Sequence, residues 1–194
     1  MDSTCLSNFD RSSHYERRLK DFGVRPPRPF SKLSLSVGTE SLMIVAYVGS
    51  ANGNRGDSPH ASVMVATMAE HGRRPCFIVA DKAYDGEPLR KAIHYELGAD
   101  DAIPVRAIPS NSSKNLGFFR KKAAVFVGAM CSRATLAYRQ RAMVETVNSM
   151  VKRNFGARIL SRKDSTRSVE AVLFVICHNI RRGCQTGIID LEAL

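Results

Sequence analysis

The chain has 194 residues, with 29 Lys and Arg against 18 Asp and Glu, a formal net charge of +11. At 44% hydrophobic content it can bury the core of a single domain. The charge draws it toward a polyphosphate partner and makes that binding salt-dependent. No apolar run reaches the roughly 18 residues of a spanning helix, and Met1-Asp2-Ser3-Thr4 does not open a signal peptide. The five cysteines, Cys5, Cys76, Cys131, Cys177 and Cys184, are scattered without C-x2-C spacing, so neither zinc nor a disulfide framework is indicated. Cys76 and Cys177 sit in apolar runs and read as core thiols in a reducing cytoplasm.

In chain order, residues 5–31 are polar, basic and Pro-rich and read as a loop or extended arm. Lys32–Val37 alternates Leu33, Leu35 and Val37 with polar residues, the pattern of a half-buried strand. After the turn at Gly38-Thr39-Glu40, Ser41–Val48 returns as a more apolar strand, followed by a Gly/Asn/Ser loop over Gly49–Gly56. Ser58–Glu70 reads as a helix with Val63, Met64 and Met68 inward, ending at Gly72. Pro75–Ala80 is a strand, Glu87–Leu97 a helix closed by Gly98, and Asp101–Val105 a short strand. Residues 106–123 are Ser/Asn/Lys-rich and read as a mobile segment near a nucleic-acid partner, and Val125–Met130 is ambiguous. A helix follows over roughly Ala134–Phe155, then a buried apolar one over roughly Thr166–Arg182.

Three acidic motifs carry the chemistry. Asp2-Ser3-Thr4 opens the chain. Asp81 ends the apolar run Cys76–Ala80, at the carboxyl edge of a strand where α/β sheets gather their ligands, and is followed by Lys82-Ala83-Tyr84-Asp85. Asp85 itself reads as a cap for the helix near Glu87-Pro88, and Asp57 as a helix start. The third motif is Tyr138-x2-Arg141-x3-Glu145-x6-Lys152. On one continuous helix these four fall within about 60° of its circumference, opposite Met143, Val144, Val147, Met150 and Val151. A plain solvated charged face would give the same stripe; the upstream carboxylates favour a site.

In this order, the motifs resemble those of bacterial and archaeal insertion-sequence transposases of the DDE type, and the last keeps every defining residue at its spacing. His14-Tyr15-x-Arg17-Arg18 and Asp57-Ser58-Pro59-His60 also look like family segments, so the resemblance covers residues 2–182. It implies an α/β fold with a ribonuclease-H-like mixed sheet flanked by helices, its first strand largely missing because only Met1 precedes Asp2. The implied organisation is a basic N-terminal arm at 1–31, a catalytic core at 32–182 and a tail at 183–194, an N-terminally truncated core.

The resemblance implies Asp2, Asp81 and Glu145 as catalytic carboxylates and metal ligands for two Mg²⁺ ions, with Mn²⁺ as a substitute. Such hard ions prefer oxygen ligands and suit in-line displacement at phosphorus. Arg141 and Lys152 would face phosphates, and Tyr138 would bond a phosphate or stack on a displaced base. The implied activity is metal-dependent endonuclease cleavage and strand transfer at transposon ends. The expected partners are double-stranded DNA, as terminal repeats and target, and a second copy of the chain, with no membrane. The expected location is the prokaryotic cytoplasm, near the nucleoid. The alternative is a catalytically inactive DNA-binding remnant. A different ribonuclease-H-like nuclease fits the Tyr-Arg-Glu-Lys helix poorly, and a basic RNA-binding module leaves the carboxylates unexplained.

Overall fold

The computed structural model describes residues 1–8, 13–23, 30–50, 57–106, 117–128, 132–161 and 163–189. The chain is α/β, as expected. Strands β1 (Asp2–Asn8), β2 (Phe30–Val37), β3 (Ile44–Ser50) and β6 (Arg158–Ile159) form a sheet in the order β3-β2-β1-β6. β1 and β6 run parallel, with Ser7 opposite Arg158 and Asn8 opposite Ile159. β4 (Phe77–Val79) and β5 (Asp100–Ala102) form a separate parallel pair. The helices are α1 (Ser13–Asp21), α2 (Asp57–Glu70), α3 (Glu87–Glu96), α4 (Phe118–Gly128), α5 (Ser132–Arg139), α6 (Ala142–Phe155) and α7 (Asp164–Gln185). A single 3₁₀ turn at Lys82–Tyr84 links β4 to α3.

Two compact units share the chain. The first comprises Met1–Asp2, Ser34–Val48 and Gly56–Val147. Its core gathers Met64, Val65 and Met68 of α2, Leu89 and Ile93 of α3, and Ile78, Ala80 and Tyr84 around the end of β4. Helix α2 opens with Asp57 in its first turn, where a carboxylate complements the helix dipole. It closes at Gly72, whose φ of 65° lets the Arg73 amide reach back to Met68 O at 2.9 Å. The two polar residues buried where α2 meets β2 satisfy each other: Ser34 Oγ lies 2.8 Å from His60 Nδ1. Helix α3 starts after Gly86, with Pro88 in its first turn, where a missing N–H costs nothing.

The strongest polar feature of this unit is a carboxylate with no exposed surface. The Asp85 side chain is fully buried and accepts from Arg90 Nη2 at 3.0 Å and Arg120 Nη2 at 2.7 Å. It also accepts the Arg106 amide at 3.0 Å. Arg90 is equally buried; its guanidinium also pairs with Asp101 and donates to Ile103 O. Burial alone would raise the Asp85 pKa, but the bonds from Arg120, the Arg106 amide and Arg90 hold it below the ordinary carboxylate value. Asp101 is pushed up by burial, which the nearby Arg90 only partly opposes. Next along the chain, Glu87 caps α4 by accepting from the Phe119 and Arg120 amides at 3.0 and 2.9 Å.

The second unit comprises Ser3–Leu33, Gly49–Arg55 and Asn148–Leu194. Leu6, Leu33, Val151, Ile159, Ala171 and Val175 are its buried apolar residues. Glu170 on α7 accepts the amides of Leu160 and Ser161, both at 2.8 Å, and fixes the segment between β6 and the helix. Phe155 stacks on Phe174 at 6.0 Å.

Several sequence expectations are corrected. The strand expected to be largely missing is present from Asp2 to Asn8, because Thr4 and Leu6 alternate inward with exposed Cys5 and Ser7. The expected arm over 5–31 therefore contains the end of β1 and helix α1, while residues 9–12 and 24–29 lie outside the described residues. Residues 118–123, expected as a mobile segment, begin α4; 107–116 lie outside the described residues. Val63 faces solvent at 53% exposure, since α2 buries His60, Ala61, Met64, Val65 and Met68 instead. Cys76 and Cys177 are exposed. Helix α7 is not buried all round: Val169, Leu173, Ile176 and Ile180 form an exposed apolar stripe. Asp85 is no cap of α3 but the hub described above.

Removing one member of a buried charge pair costs about 3–5 kcal/mol. Arg90→Met is therefore expected to lose stability of that order in urea denaturation, since it strands Asp85 and Asp101 together. A depressed carboxylate contributes stability above its unfolded pKa of about 3.9 and loses it as pH falls through the folded value. Asp85→Asn should accordingly flatten the acid limb of the stability–pH curve below about pH 4. A Cβ on Gly117 would overlap the Glu87 carboxylate. Gly117→Ala should dislodge that cap and lower stability by about 1 kcal/mol, measured in the same assay.

Candidate active site at the strand ends

All the candidate residues except Lys152 fall within the first unit. The segments that carry Asp2 and Asp81 meet through one backbone hydrogen bond. The Met1 nitrogen donates to Val79 O at 2.5 Å, so the start of β1 lies alongside the end of β4. Asp2 follows Met1 directly, Asp81 follows Val79 after Ala80, and both are half-buried. Their neighbours Met1 and Ala80 are buried in the core of the first unit. Asp2 opens β1, and Asp81 lies two residues beyond the end of β4.

Asp81 has a second task. It caps the 3₁₀ turn, accepting the Lys82 amide on Oδ1 at 2.6 Å. One oxygen is engaged by the backbone, which fixes the carboxylate without neutralising it.

The third carboxylate arrives differently from expectation. The single helix over 134–155 is two helices. Between α5 and α6, at Gln140–Arg141, the chain tightens into successive i→i−3 bonds. Gln140 N reaches Ala137 O at 3.0 Å, Arg141 N reaches Tyr138 O at 3.0 Å and Met143 N reaches Gln140 O at 2.9 Å. The four-residue stripe is therefore broken: Tyr138 lies on α5, Arg141 in the turn, Glu145 in the first turn of α6 and Lys152 in its last. The physical reason lies in burial. Val144 and Val147 of α6 are buried, whereas Leu136 of α5 is 58% exposed, so the two segments obey separate packing demands.

Arg141 and Glu145 remain partners, with Nη2 and Oε1 2.7 Å apart and side chains 30% and 52% exposed. Arg141 is also felt at the strand ends. The Met1 amine is pushed down to about 6 by burial; the Asp2 carboxylate opposes this and Arg141 adds to it. Met1, Asp2 and Arg141 thus share one electrostatic neighbourhood. Beside it lies a cavity of about 720 Å³, bordered by Met1, Val37, Met68, Val79 and Arg141. None of the three carboxylates lines it.

Carboxylate oxygens suit a hard divalent ion. By donor chemistry and strand-end placement, Asp2 and Asp81 fit such an ion. Glu145 fits by chemistry, but its carboxylate is engaged by Arg141, and among the described residues no three acidic, His or Cys side chains are gathered closely enough to hold a metal. Sequence reasoning missed Arg106, Arg90 and Arg120 around Asp85. Their only signal was the basic content of the segments after Asp81.

Among the described residues no helix is long and apolar enough to cross a membrane. No curated protein and no solved structure matches the chain. A comparison with protein families matches residues 1–180 to the transposase DDE domain. That match spans the start of β1, the capped turn at Asp81 and the Arg141–Glu145 pair. With nearly the whole chain inside it, the protein belongs to the DDE transposase family, which acts on DNA in transposition and generally uses divalent metal ions.

Proposed function

We propose that this chain is the catalytic core of an insertion-sequence transposase that cleaves DNA and transfers strands at transposon ends. Asp2, Asp81 and Glu145 are its carboxylates. The observation that supports the reading is the Met1–Val79 hydrogen bond, which lays the start of β1, opened by Asp2, alongside the end of β4, which leads into Asp81. A divalent ion such as Mg²⁺ or Mn²⁺, when bound, neutralises charge on the attacking and leaving oxygens of a phosphodiester. The protein's part is to position the carboxylates and to bring the phosphate to them. Arg141 is suited to both. It holds Glu145 in place now, and an incoming phosphate offers its guanidinium a bidentate alternative. Release of Arg141 to phosphate would free Glu145 to join the other two carboxylates. Lys152, two turns further along α6, supplies a point charge for the backbone, and Tyr138 a phenol for a phosphate or displaced base.

A second reading, an inactive DNA-binding relative, is favoured by the same ion pair if it never opens. The two separate on a supercoiled plasmid carrying the flanking terminal repeats, incubated with Mg²⁺ or Mn²⁺. Catalysis predicts nicking that falls by at least about 100-fold in Asp81→Asn and Glu145→Gln, with salt-sensitive DNA binding retained. Equal nicking by wild type and Glu145→Gln would sink the assignment of that residue. Retained DNA binding with no nicking by wild type would establish the inactive reading.

A further inference from the structure

The Asp81 carboxylate sits at the head of a single 3₁₀ turn, an element with poor hydrogen-bond geometry and no length to stabilise itself. Its carbonyls can take partners from outside, Lys82 O in addition to the Asp85 amide it already accepts. Arg106 supplies them. Its Nε donates to Lys82 O at 2.8 Å and its Nη2 to Ala83 O at 3.2 Å. Its own amide donates to Asp85 Oδ2, the buried carboxylate already held by Arg90 and Arg120. One residue thus joins the turn that carries Asp81 to the most firmly held group in the unit.

We propose that Arg106 is a positioning residue for Asp81: it clamps the 82–84 turn against the Asp85 hub and so fixes the direction in which the Asp81 carboxylate is presented. This rests on the reading of Asp81 as a carboxylate of the active site. The clamp is matched to the task. A ligating constellation must be held to about 0.5 Å and 10–20° by groups that are themselves fixed. The planar fork of an arginine spans two successive carbonyls, which the single ammonium of a lysine does not. Arg106 is exposed, so its guanidinium is removable without opening the core. Its bonds run to the carbonyls behind the turn, so its effect on Asp81 is geometric.

The test uses the whole chain with Arg106→Gln, Arg106→Lys and Asp81→Asn. Mn²⁺ binding is measured by electron paramagnetic resonance of the free ion, alongside the Mg²⁺ half-saturation for plasmid nicking, the DNA dissociation constant and the melting temperature. Arg106→Gln is expected to weaken Mn²⁺ binding and raise the Mg²⁺ half-saturation by about 10-fold. Its DNA affinity should be unchanged and its melting temperature within about 3 °C of wild type. Arg106→Lys, which reaches one carbonyl, should fall between. Wild-type Mn²⁺ binding in Arg106→Gln, with binding lost in Asp81→Asn, overturns the positioning role and leaves the active site standing. A collapse of the melting temperature in both Arg106 variants also overturns it, by making the residue a general support of the fold. Mn²⁺ binding unaffected by Asp81→Asn overturns the active-site reading itself.

Discussion

The first unit is organised around a charge that water cannot reach. Asp85 has no exposed side-chain surface, and it is tolerable there only because Arg90, Arg120 and the Arg106 amide supply donors from three directions. These donors come from α3, from α4 and from the strand-exit segment after β5. A carboxylate satisfied in this way specifies geometry as well as contributing energy, since each donor is costly to leave unpaired. The segment after β4 is consequently fixed at Asp85 and again at Glu87, which caps α4. Asp81 stands immediately before that fixed stretch and inherits its rigidity.

The strand ends obey a different constraint. Asp2 opens β1 and Asp81 lies just beyond β4, segments joined by the Met1–Val79 hydrogen bond, whereas Glu145 sits on a helix that begins just after a tight turn. The site we propose therefore draws two carboxylates from strand ends and a third from a separately packed helix. In the structure that third carboxylate, Glu145, is ion-paired with Arg141. The family assignment accounts for the residue types, and the local packing accounts for why one of them is engaged elsewhere.

Much of this was legible in the sequence. Alternation around Leu33 and Leu35 marked β2, the Gly72 and Gly98 stops marked the ends of α2 and α3, and the apolar run before Asp81 placed that carboxylate at a strand end. What was illegible has physical causes. The break at Gln140–Arg141 involves neither Gly nor Pro, so no residue there announces it, and a periodicity argument runs straight through. Strand β1 is polar in composition, and its pairing between β2 and β6 and its two inward residues make it a strand. The hub at Asp85 joins residues up to 35 positions apart, and side-chain ion pairs at such separations leave no local pattern. Helix α7 reads as buried from its apolar content, yet its inward positions are Ala171, Val175 and His178, with Arg167 at the first turn.

That inversion on α7 leaves Val169, Leu173, Ile176 and Ile180 in water on a chain whose net charge is +11. Ionic strength therefore pulls on the protein in two directions. Added salt screens the cationic surface and weakens its hold on phosphate, and it also removes the mutual repulsion that keeps copies apart. Salts excluded from protein surfaces additionally strengthen apolar association. Conditions that strip nucleic acid from this chain are thus those under which the bare face of α7 is most adhesive, and colloidal behaviour and DNA affinity trade against each other along a single axis.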